Sequence, residues 1–258
     1  MFEQNAVRAL VLALIAGLST LVGAALVLIG KKKSEKMISV SLGFAAGVML
    51  SVSFVDLFPH AVDSFSQVVS DRMSVLLTVL FLAVGVGLAM LLDHFVPHEA
   101  YDPNTGETPH KNLFRVGFVS MLAIGLHNFP EGIATFMAGF EDLTLGISIA
   151  IAISLHNIPE GIAVAMPIYF STGSRKKALY YTTISALAEP LGALLAFLVL
   201  RPFFGPGVLA AVFAAVAGIM VYISVEELIP SSRQYGHDRA ALLATLTGIC
   251  LMPLSEMI

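Results

Sequence analysis

Residues 113–139 read LFRVGFVSMLAIGLHNFPEGIATFMAG. A helix crossing a bilayer needs about 20 predominantly apolar residues, and this run supplies them. Its middle nevertheless carries His127, Asn128 and Glu131. A second run, 143–169, reads LTLGISIAIAISLHNIPEGIAVAMPIY and repeats the pattern as His156, Asn157 and Glu160, 29 residues on. An ionisable side chain at bilayer depth costs roughly 2.5–3.5 kcal/mol to insert, so it argues for a function and a partner. Two copies of the same costly octet, HNxPEGIA, read as two halves of one site.

The rest of the chain supports the membrane reading. Hydrophobic residues make up 57% of the 258 positions, and the mean hydropathy is +0.87. Eight runs are long enough to span: about 7–29, 37–60, 74–96, 113–139, 143–169, 178–200, 206–230 and 240–258. They occupy most of the chain and leave no room for a soluble domain. The expected fold is all-α and polytopic, because open strands cannot cross lipid and these runs are too long for barrel strands. The first run is longer than the apolar part of a signal peptide and Lys31-Lys32-Lys33 follows at once, so it reads as a retained helix. A single cysteine, Cys250, excludes a disulfide framework and a thiolate cluster, and reads as a packing residue.

Charge sets the expected orientation. Loops after the odd-numbered spans hold Lys31, Lys32, Lys33, Lys36, Lys111, Arg115, Arg175, Lys176, Lys177, Arg233 and Arg239, against Arg8, Arg72 and Arg201 on the other side. Cytoplasmic loops carry the basic excess, so a cell-membrane protein with both termini outside is expected. Net charge is −4 and no nucleic-acid partner is expected. The longest loop, 97–112, contains His98, Glu99, Asp102 and His110 and reads as a solvated segment able to hold metal only weakly.

A second repeat is quieter. AGVMLSVSFVDLFP at 46–59 aligns without a gap to AGIMVYISVEELIP at 217–230, with Ala, Gly, Met, Ser, Leu and Pro identical and Asp56 opposite Glu227. The two spans run in opposite directions, a signature of inverted transporter repeats. Asp56, Pro59 and His60 then fall near the outer end and Glu226 and Glu227 near the inner end, as candidate pathway residues.

On a helix His127 and Glu131 share a face at i and i+4, and Asn128 adjoins Glu131 at i+3. The same holds for His156, Asn157 and Glu160. Pro130 and Pro159 cannot donate to the carbonyls four residues back. A third span adds Glu189 beside Pro190, with Ser185 one turn earlier. Three carboxylates without a basic residue at that depth call for cations. Imidazole with carboxylate and amide oxygen, and no sulfur, suits divalent transition ions, Zn²⁺ and Fe²⁺ foremost.

These elements resemble the Zrt/Irt-like (ZIP) family of divalent metal transporters, most closely its bacterial ZupT type. HNFPEGIATF at 127–136, HNIPEGIAVA at 156–165, the Ala188-Glu189 pair and VAGIMVYISVEELIP at 216–230 carry the resemblance, which covers essentially the whole chain. It implies a 3+2+3 inverted-repeat arrangement of eight helices. It implies a binuclear site, one ion held by His127, Glu131, His156 and Glu160. The other would be held by Asn128, Glu131, Asn157, Glu160 and Glu189, with Glu131 and Glu160 bridging. It implies inward transport of Zn²⁺ or Fe²⁺, with Mn²⁺, Co²⁺ and Cd²⁺ as further substrates, and no catalytic cofactor.

Two other classes fit parts of the pattern. An intramembrane metalloenzyme would want a separate general base, and HExxH is absent. A proton-coupled carrier of organic solutes would use the carboxylates but does not account for the paired histidines. No GxxxxGK[ST] loop is present, so no ATPase is built in. Gly43-x-x-x-Gly47 can pack helices within one chain or between two copies in a homodimer.

Overall fold

The computed structural model describes residues 2–29, 34–95, 110–200 and 205–255, and within them every long element is a helix. The helices are α1 (Phe2–Ile29), α2 (Glu35–Ser66), α3 (Asp71–Phe95), α4 (His110–Glu141), α5 (Leu143–Thr172), α6 (Arg175–Leu195), α7 (Pro206–Arg233) and α8 (Asp238–Ser255). A π-helical stretch, Ala196–Leu200, continues α6. The first seven helices contain segments long and apolar enough to cross a membrane; α8 has 18 described residues, with Asp238 in its first turn. Large apolar side chains such as Val11, Ile15, Leu76, Leu80, Leu243 and Leu246 are exposed along the outside. A surface of this kind belongs in lipid, and the chain is a multi-pass membrane protein.

Local chemistry sets the helix ends. Gly173 and Gly236 adopt left-handed φ values of 69° and 71°, which end α5 and α7 at little steric cost. The Ser174 hydroxyl accepts a hydrogen bond from the Lys177 N–H at 3.2 Å and caps α6. Two predicted boundaries fall short. α2 runs on to Ser66 and α7 to Arg233, because polar side chains end an apolar run without ending a helix. His110 opens α4 rather than closing the preceding loop. His98, Glu99 and Asp102 lie outside the described residues.

The quiet repeat has a structural signature. α2 contains a π-helical turn at Val52–Leu57 and α7 one at Ile223–Leu228, in identical positions of the alignment. Each precedes a proline, Pro59 or Pro230, whose missing N–H leaves the ladder one donor short. The hydroxyl of Ser53 donates to Met49 O at 2.8 Å, and that of Ser224 to Met220 O at 2.7 Å.

Glycine contacts relate the helices pairwise. Gly47 of α2 packs on the Thr245 carbonyl of α8, and Gly248 on that of Phe44. Gly218 of α7 packs on the Leu82 carbonyl of α3, and Gly85 on that of Ala215. In every case the carbonyl lies three residues before the partner's own glycine. The α2–α8 pair therefore mirrors α7–α3, as 3+2+3 inversion requires. Gly43 also meets α8, where a Cβ would lie 2.6 Å from Ala241 O, so this glycine pair is occupied within the chain. Cys250 is exposed on α8, which corrects its expected packing role.

Candidate metal centre

α4 and α5 cross at the duplicated motif and run unbroken through Pro130 and Pro159. His127, Asn128, Asn157, Glu160 and Glu189 are fully buried, and His156 and Glu131 are 1% and 2% exposed. The motifs pair across the crossing rather than along each helix. His127 Nε2–H donates to Glu160 Oε1 at 2.7 Å, and His156 Nε2 faces Glu131 Oε1 at 3.3 Å. Asn157 Nδ2 donates to Glu189 Oε2 at 2.8 Å and to the Ala16 carbonyl at 2.9 Å, joining α5 to α6 and α1. Asn128 Nδ2 reaches the Ser185 carbonyl at 3.4 Å, or with the amide turned over donates to Glu160 at 3.3 Å.

Several of these donor atoms have no hydrogen-bond partner: Nδ1 of both histidines, both oxygens of Glu131, Oδ1 of Asn157 and Oε1 of Glu189. Leaving buried polar atoms unpaired is costly, on the order of 1–3 kcal/mol each and more for a charge. An array of unpaired nitrogen and oxygen lone pairs around three carboxylates is chemically a receptor for cations. The arrangement is open, because among the described residues no three His, Cys, Asp or Glu side chains already close on one point.

A cavity of about 530 Å³ connects this array with one end of the bundle. Glu131 and His156 line its floor, and Asp56, His60 and Asp63 of α2 line its mouth. Asp56 and His60 pair at 2.9 Å, with the His60 side chain 66% exposed. Beyond the motif the other half of the crossing is apolar. Val116, Val119 and Ile124 of α4 pack with Val164, Met166 and Ile168 of α5 in one apolar core.

At the far end the sequence reading missed a network. Arg115 donates through Nη1 to Glu227 Oε1 at 2.8 Å and through Nη2 to Asp93 Oδ1, while the Tyr222 hydroxyl donates to Asp93 Oδ2 at 3.1 Å. It ties α3, α4 and α7 together. Arg115 lies two residues inside the predicted 113–139 span but is counted with the basic residues of the adjoining loop; an acid and a base inside two neighbouring spans, Asp93 and Arg115, are the available signal. Glu227 is thus buried and paired with Arg115, whereas Glu226 is exposed. Ser185 turns its hydroxyl back to the Thr182 carbonyl at 3.0 Å and offers the motif only its own carbonyl.

The family model described as ZIP zinc transporter matches residues 5–116 and 98–256. The chain is 43% identical to the zinc transporter ZupT of Chlorobium chlorochromatii, the alignment covering 99% of this chain and 98% of the relative. It is 41% identical to the zinc transporter ZupT of Streptococcus mutans, with 99% of each covered. Against the zinc transporter ZupT of Chlorobaculum parvum identity is 45%, with 96% of each covered.

Proposed function

Since the chain belongs to the ZIP zinc transporter family, we propose that it imports divalent transition-metal cations through a binuclear site at the α4–α5 crossing. Zn²⁺ and Fe²⁺ are the leading substrates, with Mn²⁺, Co²⁺ and Cd²⁺ following from the same nitrogen and oxygen donors. One ion is held by His127, Glu131, His156 and Glu160. The second is held by Asn128, Asn157 and Glu189, with Glu131 and Glu160 bridging. The observation that carries this reading is the cavity running from Asp56 and Asp63 to Glu131 and His156, where buried donor atoms lack partners.

The positive-inside bias puts the cavity mouth outside the cell and both termini there as well. The geometry is then that of an outward-open carrier. Asp56 and His60 collect cations at the mouth. The ion replaces the cross-helix contacts of His127 with Glu160 and His156 with Glu131. The apolar half of the crossing and the Arg115 network close the cytoplasmic side, so release requires their separation and frees Glu227 for the leaving ion. Binding requires unprotonated nitrogen and ionised carboxylate, so affinity falls as the outer medium is acidified.

Purified protein in liposomes tests this. Labelled Zn²⁺ or Fe²⁺ is expected to accumulate inside, and a run with and without a pH gradient reads the coupling. No uptake of any divalent metal under either condition would refute the reading. Asp56→Ala is expected to raise the apparent KM more than it lowers the maximal rate, since the mouth concentrates ions without holding them in transit. Unchanged kinetics would remove Asp56 from the pathway.

A further inference from the structure

Glycine contacts at the centre define a residue-by-residue correspondence between α1 and α6. Gly132 of α4 packs on the Glu189 carbonyl of α6, and Gly192 on that of Phe129. Gly161 of α5 packs on the Thr20 carbonyl of α1, and Gly23 on that of Ile158. The α4–α6 contact is therefore repeated by α5–α1, and Thr20 stands where Glu189 stands. The asparagines occupy matching places: Asn157 donates to Ala16 O at 2.9 Å, and the Asn128 amide lies 3.4 Å from Ser185 O, each carbonyl one turn before the matched residue.

Thr20 is fully buried and its Oγ1 has no hydrogen-bond partner. Helical threonines normally return the hydroxyl proton to the carbonyl four residues back. Thr78, Thr135, Thr182 and Thr245 do so here at 2.8, 2.9, 2.9 and 3.0 Å. Thr20 makes no such bond: the Ala16 carbonyl one turn behind it already accepts from the Ser19 hydroxyl at 2.6 Å and from Asn157 at 2.9 Å, and the Thr20 hydroxyl is left over.

We propose that Thr20 sets the affinity of the metal centre, as a neutral oxygen at the inverted-repeat position of Glu189. By the inversion its hydroxyl corresponds, for Asn128 and Glu160, to the Glu189 carboxylate that accepts from Asn157 at 2.8 Å. The centre then carries three carboxylates where strict symmetry would give four. Charge count tunes the affinity of an oxygen site. A hydroxyl at this place lets the centre bind a divalent ion without retaining it, which a carrier needs.

The inference rests on the transport reading above, and two readouts separate their failures. In the full-length protein, Thr20→Val removes the oxygen and keeps the shape. Expected is Zn²⁺ binding about tenfold weaker, the size typical for loss of a ligand-supporting group, with a parallel rise in KM and unchanged thermal unfolding. A wild-type KM, with or without lower stability, assigns Thr20 to packing and overturns the proposal. The second readout exchanges the two positions. Glu189→Thr is expected to lose Zn²⁺ uptake, and adding Thr20→Glu is expected to restore part of it, because the carboxylate returns at the mirrored position. A folded exchange variant as inactive as Glu189→Thr counts against the proposal; if that variant does not fold, Thr20→Val decides. Wild-type uptake in Glu189→Thr would instead overturn the site assignment beneath it.

Discussion

Glu131→Gln and Glu160→Gln each are expected to abolish Zn²⁺ uptake, with a loss of about 100-fold or more. The substitutions keep side-chain volume and remove only ionic charge, so a folded product is expected and the deficit reads chemistry. Each glutamate faces the histidine of the opposite helix, Glu160 to His127 at 2.7 Å and Glu131 to His156 at 3.3 Å. Each is proposed to bridge both ions, so a single exchange weakens two sites together. Loss of one supporting group commonly lowers metal affinity 10–100-fold, and a bridging ligand should exceed that. Uptake measured in cells or liposomes, normalised to folded protein, checks the result. Wild-type rates in both variants would remove the duplicated motif from the transport path.

Arg115→Met is expected to give the largest loss of stability. Its guanidinium joins Asp93 and Glu227, whose side chains are only 8% and 5% exposed. Removing one partner of a buried ion pair costs about 3–5 kcal/mol, because the charge that stays buried loses that partner's attraction. For a chain of this size that corresponds to a fall in Tm on the order of 10 °C. Adding Asp93→Asn and Glu227→Gln to Arg115→Met should recover most of it, since the two carboxylates that face the guanidinium are then neutral. Thermal unfolding in detergent reads both steps. An unchanged Tm in Arg115→Met would mean that the network does not hold that end of the bundle together.

The parts of this molecule legible in its sequence are those where membrane depth makes a polar residue expensive. His127, Glu131, His156, Glu160 and Glu189 stand out because nothing in an apolar run excuses them, and the structure brings them to one crossing. The repeat linking Asp56 to Glu227 was visible as an alignment; the π turn at each copy was not, because proline does not specify how the ladder adjusts. Cross-helix pairing of each histidine with the other motif's glutamate was also hidden, since spacing along one helix says only which residues share a face. Arg115 escaped because, near the start of its span, it counts with the basic residues of the adjoining loop. Thr20 escaped for the opposite reason: a threonine in an apolar helix is ordinary, and only the glycine packing of α1 on α5 gives it a counterpart.

Two divalent ions held between α4 and α5 would be seen directly by anomalous scattering from crystals of the protein grown with Zn²⁺ or Cd²⁺. Two peaks about 3.5–4 Å apart are expected, the usual spacing of carboxylate-bridged pairs, flanked by Glu131 and Glu160 with the histidines on one ion and Glu189 on the other. Peaks confined to the mouth at Asp56 and His60, with none at the crossing under conditions that support uptake, would contradict it.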